Sequence, residues 1–168
     1  FLDEILDLTE EVTVLRDGRA TLRAATRELD AGKLIAPIAG DRLATTEQYP
    51  WQTGAEYQVL HNGGHADGKN PITSAGSNYA VNPPVKDVTK PVGEWNEARL
   101  LARGSHVEHW LNGVKVVEYE IGSADWEARV KASKFAKLAN YGRVPRGYIA
   151  LQDHGDVVSY RNLKIRPL

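Results

Sequence analysis

The fold is decided by His106-Val-Glu-His-Trp-Leu-Asn-Gly-Val-Lys-Val-Val-Glu-Tyr-Glu120, a stretch that folds back on itself at Asn112-Gly113. An Asn-Gly pair favours a type I′ hairpin turn, because both central residues of that turn need positive φ. A two-residue turn there predicts that His109 faces Val116 across two antiparallel strands. His106 and His109 are three residues apart, so they should lie on opposite faces of the strand. Both faces are chemically mixed, and the pattern leaves open which one is buried.

The first 44 residues differ in character from the rest of the chain. Apolar residues at helical spacing predict a short amphipathic helix over residues 2–10. The next segment predicts a hairpin over residues 13–22, turning at Asp17-Gly18. We expect one domain over residues 1–168, with the N-terminal helix and hairpin in 1–44 and the main body in 45–168.

The remaining segments add strands and one helix. Residues 56–61 and 95–103 alternate in polarity, as half-buried strands do. Residues 147–155 and 157–165 are interpreted as two short strands joined at a turn. Ser123 is a suitable N-cap for the single helix. The buried residues of that helix are predicted to be Trp126, Val130 and Phe135. Short strands with turn signals and one inserted helix predict a mostly β sandwich.

The composition excludes several classes of protein. The chain has 168 residues, 42% of them hydrophobic and 26% charged, which is typical of one soluble globular domain. A formal net charge of -1 offers no electrostatic basis for binding nucleic acid or an anionic membrane. The sequence has no apolar run long enough to span a membrane. It also has no cysteine, which excludes disulfides and thiolate metal sites and is compatible with an oxidising compartment.

Polar residues within apolar surroundings identify one part of a candidate site. Glu56 and Gln58 are two residues apart on a predicted strand and should share one face. Two polar side chains there indicate either a lined cavity or a strand face that meets water. Trp51 precedes this strand, and its ring could serve as an aromatic platform for a ligand.

Titratable groups in two loops identify the rest of it. His65, Asp67 and Lys69 alternate in a short polar loop, which would suit either a binding site or a solvated surface. In Asp153-His154 the imidazole is a natural proton shuttle at neutral pH, and the carboxylate would set its tautomer. A turn carrying a surface histidine is the alternative. Arg161, inside a predicted strand, would pair with a carboxylate or bind a substrate oxygen.

Four motifs carry a resemblance to a known family. They are Pro50-Trp-Gln-Thr-Gly-Ala-Glu-Tyr-Gln-Val-Leu60, Gly93-Glu-Trp-Asn-Glu-Ala-Arg99, His109-Trp-Leu-Asn-Gly-Val114 and the C-terminal run from Gly147 to Ile165. The motifs occur in this order over about residues 46–168, and through them the chain resembles the 3-keto-disaccharide hydrolase family. The resemblance implies a jelly-roll, concanavalin-like β-sandwich. Residues 1–44 lack the family's opening motifs, so the N-terminal part is expected to be atypical or truncated.

The resemblance also implies an activity and a set of site residues. A 3-keto sugar has an acidified proton at C2, so a base can remove it, the C1 group can leave by β-elimination, and water can then add. The implied catalytic residues are Glu56, Asp153 and His154. The implied substrate-binding residues are Trp51, Gln58, His65, Asp67, Lys69, which would polarise the 3-keto oxygen, and Arg161. A catalytically silent, lectin-like sugar binder is the alternative.

The same resemblance bears on metals, partners and location. The family has an aspartate where this chain has His61, and an imidazole suits zinc, manganese or cobalt better than calcium or magnesium. A divalent metal would therefore be held by Glu56, His61 and His65. The expected partners are a sugar or glycoside ligand and a second copy of the chain, which would complete a shortened sheet. A bacterial, periplasmic or secreted protein is implied.

Overall fold

The computed structural model describes residues 11–16, 19–25, 49–144, 149–152 and 158–166. The chain divides into two compact units, one of residues 1–48 with 146–167 and one of residues 49–145 with 168. Regular structure in the described ranges is mostly strand, with one α-helix. The strands are β1 (Glu11–Arg16), β2 (Arg19–Ala25), β3 (Ala98–Arg103), β4 (His106–Leu111) and β5 (Val114–Glu120). The helices are α1 (Ala124–Ala132) and short 3₁₀ turns at Pro50–Gln52, Ala66–Lys69 and Pro71–Thr73.

The first unit contains the predicted N-terminal hairpin. Strands β1 and β2 pair antiparallel, and Arg16 lies opposite Arg19, which leaves a connection of two residues between them. The pairing confirms the predicted hairpin, and the predicted turn residues 17–18 lie outside the described residues. The predicted helix over residues 2–10 lies outside the described residues.

The second unit is built on a three-stranded antiparallel sheet in the order β3-β4-β5. The hairpin at residues 112–113 is confirmed, but its register changes at a β-bulge. Trp110 pairs with Lys115, whereas His109 pairs with Val117, so Val116 is the extra residue. The predicted pairing of His109 with Val116 is wrong for this reason. Since the bulge turns both Val116 and Val117 inward, one face of the hairpin becomes apolar and the other charged.

The apolar face of this sheet packs against α1 and the segment that follows it. Ser123 caps the helix as predicted, because its hydroxyl accepts a hydrogen bond from the Trp126 amide at 3.1 Å. The predicted buried residues Trp126, Val130 and Phe135 are all buried, although Phe135 lies beyond the end of the helix. Around them the core contains Val81, Val107, Leu111, Val116, Val117, Tyr119 and Tyr141.

Four of the predicted strands differ from the structure. Residues 56–61 form only an isolated bridge between Tyr57 and Asn78, because their partner is a loop rather than a strand. The strand predicted over residues 95–103 is shortened to β3. The described parts of the C-terminal segment, 149–152 and 158–166, contain no strand.

Tight packing at a glycine gives a direct test of this core. Gly142 has φ of +67°, and a Cβ there would lie 2.7 Å from Trp126 Cζ2. Gly104 has a similar φ of +59°, but a Cβ there would meet no described atom within 4 Å. Both Gly→Ala changes should cost about 1–2 kcal/mol for the left-handed backbone. Gly142→Ala should cost about 1–3 kcal/mol more because the core is overpacked. Urea unfolding of the two variants measures the difference, and equal losses of stability would contradict this packing.

Candidate functional site

The site is built on the short backbone pairing between residues 56–58 and 76–79. The amide of Tyr79 donates to the carbonyl of Glu56 at 3.0 Å, and Gln58 exchanges hydrogen bonds with Gly76 and Ser77. Side chains alternate along an extended backbone, so Glu56 and Gln58 lie on the side opposite Tyr57. Tyr57 points toward the sheet, where its hydroxyl donates to the Trp110 carbonyl at 3.0 Å. The pairing therefore brings the backbone of Glu56 beside Tyr79.

The loop after this segment brings a second carboxylate to Tyr79. The 3₁₀ turn Ala66–Lys69 begins at His65, whose Nδ1 accepts a hydrogen bond from the Asp67 amide at 3.1 Å. The Thr73 hydroxyl donates to the Asp67 carbonyl at 2.7 Å and fixes the end of the turn. As a result, Asp67 Oδ2 accepts a hydrogen bond from the Tyr79 hydroxyl at 3.0 Å. His65 and Asp67, both predicted site residues, thus belong to one hydrogen-bonded cluster.

Electrostatics keep the Tyr79 hydroxyl protonated. Burial, then the hydrogen bond to Asp67, then the charges of Asp67 and Glu56 raise the pKa of Tyr79 to about 12. The Lys134 ammonium lies 4.1 Å from the centroid of the Tyr79 ring. We name the group Glu56, His65, Asp67, Tyr79 and Lys134 the Tyr79 cluster. It combines two carboxylates, a neutral hydrogen-bond donor, an imidazole and a cation.

Two members of the Tyr79 cluster are missed by sequence reasoning. Tyr79 stands in a loop without periodicity, and its neighbours Asn78 and Ala80 give no sign of a site. The run Lys131, Lys134 and Lys137 predicts one outer helical face. However, α1 ends at Ala132, so Lys134 lies on the following turn and reaches the Tyr79 ring.

Other predicted residues near this segment are exposed. Lys69 is exposed at the end of its 3₁₀ turn. His61 lies over the next turn, where a Cβ at Gly64 would come within 2.5 Å of its Nδ1. Trp51 is 38% exposed and stacks on Tyr49 with ring centroids 6.0 Å apart. An exposed aromatic pair of this kind can hold the apolar face of a sugar.

The remaining predicted residues are those of the C-terminal segment and the predicted metal ligands. Asp153 and His154 fall outside the described residues. Arg161 is exposed and belongs to the other compact unit. In the described ranges, the one group of three or more side chains able to hold a metal is His106, Glu108 and Glu118. The ligand atoms of Glu56, His61 and His65 therefore do not converge on one metal position.

His109 belongs to the core rather than to an open site. It is 1% exposed, and its Nδ1 lies 3.0 Å from the Gly76 carbonyl, so this nitrogen must donate. The Tyr119 hydroxyl lies 3.4 Å from Nε2, and the Tyr57 ring stacks on the imidazole with centroids 4.7 Å apart. Burial lowers the pKa of His109 to about 4, so the ring is neutral at physiological pH.

Comparisons with known proteins agree with the motifs. A family model described as the 3-keto-alpha-glucoside-1,2-lyase-like domain matches residues 16–166. A curated 3-keto-disaccharide hydrolase from Bacteroides thetaiotaomicron is 36% identical over 126 residues, which cover 67% of this chain and 43% of the relative. The chain thus spans less than half the length of that relative. The family match begins at residue 16, within the segment 1–44 that lacks the family's opening motifs.

A solved structure is also similar. It comes from Parabacteroides distasonis and is described provisionally as a glycosyl hydrolase. It is 34% identical with a TM-score of 0.51, over 59% of this chain and 49% of that one. The likeness supports a shared fold over that part of the chain.

The buried histidine predicts a pH dependence of stability. Its folded pKa of about 4 lies below its ordinary 6.5, so between these values the unfolded chain binds a proton that the folded chain excludes. This residue should leave stability unchanged above about pH 6.5 and lower it by up to about 3 kcal/mol as the pH falls to about 4. His109→Asn, which keeps a donor near Gly76 but does not titrate, should lose less stability over the same range. Urea unfolding at several pH values measures this, and equal acid losses in both proteins would contradict it.

Proposed function

The chain belongs to the family described as the 3-keto-alpha-glucoside-1,2-lyase-like domain, and from this we propose that it cleaves 3-keto-glycosides. The proposed route is removal of the C2 proton, β-elimination of the C1 group and addition of water, which together amount to hydrolysis. The name of the curated relative, a 3-keto-disaccharide hydrolase, supports the same class of substrate. The chain would form part of a jelly-roll sandwich, for which the three-stranded sheet is a suitable component.

The chemistry requires three kinds of group. A base takes the C2 proton, and the electron pair forms an enolate whose negative charge rests on the former keto oxygen. As the enolate collapses, the bond between C1 and the leaving oxygen breaks and an acid protonates that oxygen. In the second stage, water adds to C1 and a proton returns to C2.

The Tyr79 cluster supplies the observation that carries this proposal. The charges of Glu56 and Asp67 both raise the pKa of the Tyr79 hydroxyl, and Asp67 accepts its hydrogen bond. The ammonium of Lys134 lies over the ring of the same tyrosine. Such a cluster offers carboxylate acceptors for sugar hydroxyls and a cation within one small region. An ammonium group from Lys134 or Lys69 would stabilise the enolate oxygen.

The remaining roles follow from the chemistry of the side chains. His154, with Asp153 setting its tautomer, would take the C2 proton and pass it to the leaving oxygen. Glu56 would then accept a proton from the water that adds to C1. Gln58, His65 and Asp67 would bind sugar hydroxyls. The substrate-binding set also includes Trp51 and Arg161.

Location and assembly are part of the same proposal. A bacterial periplasmic or secreted protein is proposed, and a bacterial relative supports the source. A homodimer is proposed as a means of completing the sheet. None of the helices in the described ranges has the length and apolar character of a membrane span.

A sugar-binding protein without catalysis is the second candidate. The exposed, nearly parallel rings of Tyr49 and Trp51 favour it, because aromatic faces bind sugar rings without any chemistry. Binding of a 3-keto-glucoside without release of the C1 group would support this candidate. Release of that group would support the hydrolase.

The proposed route predicts how isotope exchange and turnover respond to substitution. In heavy water, the substrate should exchange its C2 proton at least as fast as it loses the C1 group. His154→Ala should lower both rates by roughly 10²–10⁴-fold, because it removes a positioned base. Glu56→Gln should lower net hydrolysis, since it removes the group that activates water. Proton NMR of a 3-keto-glucoside follows exchange and cleavage together.

Matched controls separate charge from position. Glu94→Gln makes the same charge change at an exposed loop position and should leave turnover unchanged. Lys69→Met and Lys134→Met show which ammonium stabilises the enolate oxygen. Only the variant that lacks this ammonium should slow C2 exchange. Unchanged turnover in a folded His154→Ala protein would remove His154 from the mechanism.

A further inference from the structure

The charged face of the β4–β5 hairpin gathers the side chains of three residues. Cross-strand pairing sets Glu108 opposite Glu118 and His106 opposite Glu120. His106 Nε2 lies 3.3 Å from Glu108 Oε1 and 3.6 Å from Glu118 Oε1. Two ligands bound at zinc's usual distances in tetrahedral geometry are about 3.4 Å apart. His106 Nε2 is therefore close to one oxygen of each carboxylate, and the three atoms lie within 4.8 Å of one another, near enough for one zinc ion to bind them after small shifts.

Neighbouring groups hold these ligands in orientation. The other imidazole nitrogen, His106 Nδ1, lies 2.6 Å from Glu120 Oε1, and the Ser105 hydroxyl donates to Glu120 Oε2 at 2.8 Å. Trp110 Nε1 donates to Glu108 Oε2 at 2.6 Å, which leaves Oε1 directed toward His106. A histidine that binds a metal commonly donates its second ring N–H to a carboxylate in this way.

One cation already interacts with these carboxylates. Lys115 Nζ lies 2.6 Å from Glu118 Oε2 and 3.4 Å from Glu108 Oε1. Together Glu108, Glu118 and Glu120 carry three negative charges against one lysine and one histidine. A metal ion at this position would have to displace the imidazole proton and repel the lysine. Lys115 would thus weaken the affinity of the metal without removing its ligands.

We propose that His106, Glu108 and Glu118 form a divalent metal site of the zinc class, backed by Glu120. One imidazole and two carboxylates suit zinc, and they leave a fourth coordination position open to solvent. The ion would tie β4 to β5 on the face opposite the core. This site is independent of the Tyr79 cluster and of the proposed hydrolysis.

Isothermal titration calorimetry of the whole chain with Zn²⁺ tests the site. We expect one ion per chain to bind and to raise the thermal midpoint, because the metal binds the folded hairpin. Co²⁺ in its place should give the visible absorption of tetrahedral cobalt. Glu120→Gln should weaken binding by about 10–100-fold, and His106→Ala by more. Lys115→Met should strengthen it by about fivefold or more, since it removes a repelling charge about 4 Å away.

Two controls and three outcomes complete the test. His61→Ala removes an exposed imidazole elsewhere and Glu94→Gln removes an exposed carboxylate, so neither should alter zinc binding. All variants lie on exposed or half-buried positions, and circular dichroism confirms that each is folded. Absence of zinc binding would overturn the proposal. Binding that survives His106→Ala unchanged, or that Lys115→Met fails to strengthen, would overturn it as well.

Discussion

A continuous series of six aromatic rings holds the second unit together. It runs from the segment that bears Glu56, through the sheet, to α1 and the turn beyond it. The neighbouring rings, with their centroid distances, are Tyr57–His109 at 4.7 Å, His109–Tyr119 at 5.6 Å, Tyr119–Trp126 at 5.0 Å, Trp126–Tyr141 at 6.0 Å and Tyr141–Phe135 at 4.2 Å. Such pairs contribute about 0.5–1.5 kcal/mol each beyond the burial of their area. The position of Glu56 depends on the series, because Tyr57 at its end is the next residue along the chain.

The bulge at Val116 gives the same hairpin two separate roles. Without the extra residue, polar and apolar side chains would mix on both faces of β5. With it, Val116, Val117 and Tyr119 all turn toward the core, and Glu118 and Glu120 join His106 on the outer face. The inner face therefore supports the ring series and, through Tyr57, the Tyr79 cluster. The outer face carries concentrated charge. These charged side chains avoid a large desolvation cost because they stay in contact with water.

Local chemistry made part of this structure predictable from the sequence. Asn112-Gly113 determines its own turn, and Ser123 caps a helix through atoms only three residues away. The bulge could not be predicted, since the alternation of residues 106–120 does not require an extra residue, and the core that Val116 and Val117 join includes Trp126 and Tyr141 from later in the chain. The strand predicted over residues 56–61 failed because alternation indicates an exposed and a buried face but does not supply a partner strand. Of the candidate site, Glu56, His65 and Asp67 were predicted by motif, whereas Tyr79 and Lys134 join them only through tertiary contacts.

The dependence of the site on the ring series can be measured most directly by amide hydrogen exchange in Tyr57→Ala. Removing this ring takes away its contact with His109 and its hydrogen bond to Trp110, but leaves the backbone groups of residues 56–58 and 76–79 unchanged. The predicted result is faster exchange at the amides of Gln58, Gly76 and Tyr79, while the amides that pair β4 with β5 stay protected. Unchanged protection at Gln58, Gly76 and Tyr79 would contradict the account, because the segment that bears Glu56 would then be held in position without the rings.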